Sequence, residues 1–169
     1  DISGKTAMVV YLDGMIDIKT IDLGLIEPLI RNGSKVESDI KALQGIVETS
    51  EKLEFFEDRK SALEKVLTGG SLIIIDGVEG YCVCSAQGFM SRPIMEPPVS
   101  SVIKGPREGF TESFKTNITL IRRRFPNSNL VFKSFTIGKL SRTHVELCYL
   151  KNIANLKVVK QIESKLKKI

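Results

Sequence analysis

The sequence predicts an α/β protein of the mixed α+β kind, folded as two small α/β subdomains with mixed sheets. Two observations support this class. Short β-branched runs with the length of buried strands alternate with stretches whose apolar residues recur at helical spacing. In addition, three of the six prolines lie between residues 92 and 98, where they favour a semi-rigid linker. We therefore expect an N-terminal subdomain over 1–91, a proline-rich linker over 92–104 and a C-terminal subdomain over 105–169.

The N-terminal subdomain is predicted to begin with a strand, a turn and a helix. Residues 7–12 form a β-branched apolar run typical of a buried strand, and Asp13-Gly14 predicts the turn that ends it. Asp17 is expected to cap a helix that ends at Asn32-Gly33, and Pro28 is expected to kink or split that helix. The further elements predicted here are helices over 38–47 and 58–67, an edge strand over 52–56, a central strand over 71–75 and a hairpin strand over 80–86.

The C-terminal subdomain is predicted to contain a helix, two paired strands and a closing helix. An apolar stripe at spacings of three and four predicts the first helix, with the stripe facing the core. Strands are expected over 130–137 and 142–150, and Asn155 is expected to cap the closing helix. The first stripe consists of Phe110, Phe114, Ile118, Ile121 and Phe125, and the stripe of the closing helix consists of Val158, Val159, Ile162 and Leu166.

Two nine-residue segments of the chain are similar in sequence, and we call this internal similarity the echo. Residues 11–19 and 149–157 align without a gap at an offset of 138, and each is a strand end, a turn and a helix start capped by Asp or Asn. This echo is consistent with two similarly built subdomains.

Charge is distributed unevenly along the chain. Residues 1–100 carry 10 Lys/Arg and 16 Asp/Glu, a net charge of −6, whereas residues 101–169 carry 15 and 4, a net charge of +11. Such asymmetry is typical of a basic half that binds an anionic partner, or of two halves that attract each other. Because no aromatic residue is interleaved with the arginine cluster, we do not expect nucleic acid to be the partner.

The sequence carries no pattern of catalytic or metal-binding residues, so neither an enzyme nor a cofactor is expected. Its single histidine, His144, lies in a strand without neighbours that would form a triad. Cys82, Cys84 and Cys148 are interpreted as reduced thiols, since their spacing fits neither a disulfide framework nor a metal site. No apolar run approaches the roughly 18 residues that cross a bilayer.

The run from Lys104 to Phe110 is the most unusual in the chain. Gly105 and Gly109 permit backbone geometries that other residues avoid, and Pro106 stiffens the loop between them. Arg107 offers a planar set of donors to a carboxylate, so this loop could bind an anionic group of a ligand. Alternatively, Arg107 or Glu108 could form an ion pair that fixes the start of the following helix.

Three neighbouring stretches resemble a known signature. Gly105–Ser113, Thr116–Ile118 and Leu120–Arg124 are similar to the signature of the A subunits of the GerA family, the spore germination receptors of endospore-forming bacteria. The resemblance extends over most of the chain through Leu72–Gly77, Ser91-Arg92, Glu96-Pro97, Tyr149-Leu150 and Ile153–Asn155.

This resemblance implies a fold and a function. It implies two α/β subdomains reminiscent of solute-binding proteins, the second of which continues beyond Ile169. It also implies a non-enzymatic, soluble N-terminal domain of a multi-pass A subunit that works with B and C subunits in the spore inner membrane. Such receptors respond to nutrients such as amino acids and sugars, so the domain would act in germinant sensing or signal transmission. The alternative is a module that contacts partner subunits or anionic lipid head groups and has no ligand site of its own.

The residues that match this signature are the candidate site. Arg107 and Glu108 would pair with the carboxylate and ammonium of an amino acid. The full set of candidates for ligand binding or for an interface is Arg107, Glu108, Phe110, Asn117, Arg122, Arg123 and Arg124, with Gly105, Pro106 and Gly109 shaping the loop.

Overall fold

Two units make up the chain in the computed structural model, one with a sheet and several helices and the other with a two-stranded sheet and one helix. Contacts divide the chain into Asp1–Arg124 and Phe125–Ile169, and each unit combines helices with strands, which confirms the α/β class. The predicted linker lies outside the described residues, so the predicted subdomain boundaries stay a prediction. The structure describes residues 4–32, 39–47, 52–85 and 109–169.

The N-terminal unit is built around a four-stranded sheet. The strands lie in the order β1-β3-β4-β2, and neighbouring strands are antiparallel. The expectation of mixed sheets was therefore wrong for the described strands: the predicted hairpin at Asp76-Gly77 pairs β3 with β4 antiparallel, and β1 and β2 also lie antiparallel to their neighbours. The elements of this unit are β1 (Ala7–Val10), α1 (Ile18–Ile21), a π-helical segment (Asp22–Ile26), α2 (Glu27–Asn32), a 3₁₀-helix (Ile40–Gly45), β2 (Leu53–Phe56), α3 (Arg59–Leu67), β3 (Ser71–Ile75), β4 (Tyr81–Cys84) and α4 (Phe114–Arg124).

The first predicted helix is split, as expected, ahead of Pro28. The Asp17 side chain caps α1 by accepting a hydrogen bond from the Lys19 N–H at 3.0 Å. A π-helical segment then separates α1 from α2. Because Pro28 has no N–H and its ring would collide with the carbonyl four residues earlier, the wider turn accommodates it within a continuous helical path.

The second predicted helix is a 3₁₀-helix rather than an α-helix. Its buried residues Ile40, Leu43 and Ile46 lie three apart, which is the repeat of the tighter 3₁₀ geometry. Asp39 caps it by accepting from the Lys41 N–H at 2.8 Å.

The sheet separates two apolar layers. On one face, buried residues of the helical segments pack with alternate residues of the strands, including Ile73, Cys82 and Cys84. On the other face, Ala62 and Val66 of α3 pack with the intervening strand residues. Neither Cys82 nor Cys84 forms a disulfide, and burial together with the neighbouring Cys84 thiol raises the pKa of Cys82 to about 12.

The C-terminal unit is a hairpin followed by a helix. β5 (Leu130–Ile137) and β6 (Thr143–Leu150) pair antiparallel along their full length, from Leu130 opposite Leu150 to Ile137 opposite Thr143. α5 (Leu156–Leu166) is joined to the hairpin by an ion pair of 2.6 Å between Lys133 Nζ and Glu163 Oε1. That hydrogen-bonded carboxylate raises the pKa of Lys133.

The predicted echo is present as a repeated local structure. Asp17 accepts from the Lys19 N–H at 3.0 Å, and Asn155 accepts from the Lys157 N–H at 3.0 Å. Each unit therefore contains a strand, a turn and a capped helix at matching positions. The backbone hydrogen bonds that recur at this offset are Met15 N to Leu12 O at 3.0 Å with Ile153 N to Leu150 O at 3.1 Å, and Ile21 N to Asp17 O at 3.2 Å with Val159 N to Asn155 O at 3.1 Å.

The two predicted apolar stripes of the C-terminal half are mostly exposed. Phe110 is 72% exposed and lies before α4, while Leu120, outside the stripe, is the buried residue of that helix. In α5 only Val159 is buried, and Val158 is 48% exposed. The expectation of a core-facing stripe was therefore wrong for α4, which buries Leu120 instead, and in α5 it holds for Val159 alone. None of the described helices has the length and apolar character that a bilayer crossing requires.

Candidate functional site

The candidate residues lie around the start and the end of α4. Phe110 and Asn117 lie at its start, and the three arginines form its last turn. Gly109 is also described and half-buried. The predicted site residues that lie outside the described part of the chain are Gly105, Pro106, Arg107 and Glu108.

Asn117 holds the segment that leads from the glycine-flanked motif into α4. Its Oδ1 accepts from the Thr111 N–H at 2.7 Å, and its Nδ2 donates to the Thr111 carbonyl oxygen at 2.7 Å. The side chain thus forms hydrogen bonds with both the N–H and the carbonyl of Thr111, as the backbone of a paired β-strand would. Sequence reasoning did not detect this role, although Asn side chains commonly bind nearby backbone groups.

The helix start is fixed by a second polar contact. The Ser113 hydroxyl accepts from the Thr116 N–H at 3.3 Å, and the Ser113 N–H donates to the Thr111 hydroxyl at 3.3 Å. Ser113 therefore acts as the N-cap of α4. Thr111 and Ser113, which precede α4, are consequently held by hydrogen bonds to Asn117 and Thr116 in its first turn.

The first half of α4 is anchored to the turn that follows β1. Lys115 Nζ lies 2.9 Å from Asp13 Oδ1. Gly14, which has a φ of +81°, lies so close to Thr119 that a Cβ there would collide with the Thr119 hydroxyl. This turn and α4 therefore meet without room for an additional methyl group.

The apolar and basic candidates line the solvent-facing parts of the helix. Phe110 and Phe114 are 72% and 44% exposed, four residues apart. Arg122 is half-buried, and Arg123 and Arg124 are exposed. Cations in the last turn of a helix are stabilised by its dipole. The structure thus places aromatic side chains at one end of α4 and guanidinium groups at the other.

Removing the Asn117 side chain is expected to destabilise the N-terminal unit. Asn117→Ala leaves the N–H and carbonyl of a half-buried Thr111 without partners, and the expected loss in the free energy of unfolding is about 1–3 kcal/mol. Chemical denaturation followed by circular dichroism measures this loss. Asn117→Asp, which keeps the acceptor and loses the donor, is expected to give a smaller loss. Wild-type stability in both variants would contradict the role of Asn117 in holding Thr111.

A solved structure has the same fold as this chain. The crystal structure of the N-terminal domain of the A subunit of the Bacillus megaterium spore germinant receptor GerK3 matches with a TM-score of 0.76 and 27% sequence identity. The match covers 98% of this chain and 60% of that one. The chain is thus similar to the N-terminal domain of a germinant receptor A subunit.

Sequence comparison identifies the family. Residues 1–169 match the family described as Bacillus/Clostridium GerA spore germination protein, and the chain belongs to that family. Spore germination protein KA of Bacillus subtilis (strain 168) is 36% identical over 164 residues, which is 95% of this chain and 30% of that protein. The uncharacterized membrane protein YfkQ of the same strain is 30% identical over 169 residues, covering 99% of this chain and 33% of that protein. The chain spans about a third of the length of these relatives.

Proposed function

We propose that this chain is the N-terminal domain of the A subunit of a nutrient germinant receptor and acts in germinant sensing or signal transmission during spore germination. The observation that supports this most strongly is the match of 98% of the chain to the A-subunit domain of GerK3. In this proposal the domain works with B and C subunits at the spore inner membrane. It rearranges without making or breaking covalent bonds.

The motif around Arg107 is the proposed point of nutrient action. Arg107 and Glu108 would pair with the carboxylate and ammonium of an amino acid. What supports this location is the neighbouring helix start, where Asn117 and Ser113 fix the chain that leaves the motif. A ligand-induced shift of the motif would therefore be passed directly to α4.

Titration of the 169-residue chain with amino acids and sugars, followed by backbone amide shifts, tests this proposal. The expected result is a weak, saturable perturbation of residues 105–124 by one nutrient class. Arg107→Ala is expected to abolish that perturbation, whereas Arg59→Ala, at the first position of α3, is expected to retain it. The absence of any perturbation near residues 105–124 would contradict ligand binding at the motif.

The charge of the C-terminal unit favours a second candidate function, attachment to partner subunits or to anionic lipid head groups. Phe125–Ile169 carries nine Lys/Arg and only two Asp/Glu. Of the two acidic side chains, Glu163 pairs with Lys133, and Glu146 Oε1 accepts a hydrogen bond from the Ser134 hydroxyl. A cationic surface of this kind is attracted to anionic membranes.

Sedimentation with liposomes tests the lipid version of this second function. Binding is expected to vesicles that contain acidic lipid, to be absent with neutral vesicles and to disappear at high salt, where exposed charges are screened. Equal sedimentation with neutral vesicles would contradict an electrostatic attachment.

A further inference from the structure

A cavity of about 680 Å³ lies at one end of the N-terminal sheet. Three segments that are distant in sequence form it: the start of the 3₁₀-helix, the end of β2 and the turn that leads into β4. Its volume falls in the range of about 300–1,000 Å³ that is typical of small-molecule sites. The residues named here as lining the cavity all belong to the N-terminal unit.

Local contacts hold the three segments together. Asp39 forms a parallel bridge with Glu79, so that the residue before the 3₁₀-helix lies beside the β3–β4 turn. Gly80 has a φ of +93°, and a Cβ there would lie 3.1 Å from Ile40 Cγ2. The close approach of the turn to the helix start therefore requires glycine, and the shape of the cavity depends on it.

One wall of the cavity is aromatic and aliphatic. Phe56 and Tyr81 are direct partners in the register of β2 and β4, and Ile74 of the next strand, β3, also lines the cavity. All three side chains are half-buried. A ligand with an apolar body would cover rings that are otherwise partly exposed to water.

The polar lining is predominantly negative. Among the described residues of the lining, Asp39, Glu57 and Glu79 oppose a single lysine, Lys41, so that these residues carry a net charge of −2. Among the described residues, no salt bridge involves Glu57 or Glu79. Carboxylates next to aromatic faces are the groups that recognise organic cations, through charge-assisted hydrogen bonds and through the attraction of a cation to a ring.

We propose that this cavity binds a small organic cation, a primary ammonium group carried on a compact apolar body. The negative lining disfavours phosphate and other anionic ligands, and no group of three potential metal ligands occurs among the described residues. Glu57 and Glu79 would bind the ammonium, and Phe56, Tyr81 and Ile74 would contact the apolar body. Because the carboxylates are exposed to solvent, the binding is weak, in the millimolar range.

Two kinds of compound carry this chemistry, a simple amine and an amino acid. In an amino acid the carboxylate would pair with Lys41 at the edge of the cavity. Titration of the full chain with 3-methylbutylamine, leucine and 3-methylbutanol, followed by backbone amide shifts, distinguishes a site for simple amines from a site for amino acids. The amine is expected to give saturable shifts at Phe56, Gly80 and Tyr81, and the alcohol is expected to give none. Saturation by leucine that Lys41→Met abolishes assigns the site to amino acids, and binding of the amine alone assigns it to simple amines.

Variants test the role of the carboxylates. Glu79→Gln is expected to weaken amine binding roughly tenfold, because it removes a charge-assisted hydrogen bond. Glu64→Gln, on the exposed side of α3, is expected to leave binding unchanged. The proposal is overturned if the amine gives no saturable shift, if the alcohol binds as tightly, or if both variants bind like the wild type. Since this binding is measured on the isolated chain, its failure leaves the germination proposal to stand or fall by its own test.

Discussion

Replacement of Ile73 by alanine is expected to lower the free energy of unfolding by about 2–5 kcal/mol. Ile73 is fully buried at the middle of β3 and pairs with Val9 of β1 and Cys82 of β4. Its side chain lies in the larger of the two apolar layers, against the helical segments. The truncation leaves a cavity in β3, one of the two strands that pair with neighbours on both sides, so the surrounding chain has little freedom to close the gap.

Chemical denaturation of Ile73→Ala and Ile30→Ala compares a buried with an exposed isoleucine. Ile30 of α2 is 67% exposed, and its truncation is expected to change stability by less than about 0.5 kcal/mol. Equal losses in the two variants would contradict the assignment of Ile73 to the core.

Replacement of Gly14 by alanine is expected to cost stability through two separable effects. The first is the positive φ of +81°, which an L-residue adopts at a cost of about 1–2 kcal/mol. The second is the collision of the new Cβ with the Thr119 hydroxyl, which adds about 1–3 kcal/mol through overpacking. The combined loss measures how tightly α4 is held on the turn after β1.

Gly77 provides the matched control for this experiment. Its φ is +70°, but a Cβ there would meet no atom within 4 Å. Gly77→Ala is therefore expected to show only the backbone cost, and the double variant Gly14→Ala/Thr119→Ala is expected to recover towards that smaller loss. If Gly14→Ala and Gly77→Ala lose the same free energy, the close packing of α4 on this turn is contradicted.

Local features of this fold were predictable because they depend on a few adjacent residues. Asp17 and Asn155 cap their helices as predicted, because a side-chain acceptor there binds an N–H of the first turn. Asp58, the first residue of the predicted third helix, caps α3 in the same way. Hydrogen bonding to the Ser61 N–H also lowers the pKa of Asp58. Pro28 interrupts its helix because its ring and its missing N–H are part of its covalent structure. The hairpin of β5 and β6 follows from the alternation of apolar and polar residues along each strand and from the short connection between the strands.

Features that depend on tertiary packing were not predictable in the same way. The apolar stripe of α4 runs through Phe114, but the helix buries Leu120 on a neighbouring line, because α4 packs against a turn about 100 residues earlier in the chain. Periodicity identifies an apolar face and does not determine what covers it. The hairpin of β3 and β4 was predicted from its turn, but the antiparallel pairing of β1 with β3 and of β2 with β4 joins strands that are distant in sequence, and mixed sheets were expected.

The candidate site likewise has a part that could be predicted from the sequence and a part that could not. The signature from Gly105 to Arg124 could be read from the sequence, because a family motif is a continuous stretch of chain. The pairing of Asn117 with Thr111 and the cavity between the 3₁₀-helix and β4 could not, since they depend on side-chain directions and on segments separated by up to 40 residues.

The central claim, that the folded domain is required for a nutrient signal in spores, is tested most directly by germination itself. Spores of the host organism that carry Ile73→Ala or Ile30→Ala in the full-length protein, and lack its other GerA-family genes, would be exposed to a panel of amino acids and sugars. The fall in optical density of the suspension reports germination. We predict that Ile73→Ala abolishes the response to the nutrient that triggers wild-type spores and that Ile30→Ala preserves it. A wild-type nutrient response from the Ile73→Ala spores, in which the protein is shown to be unfolded or absent, would contradict the account.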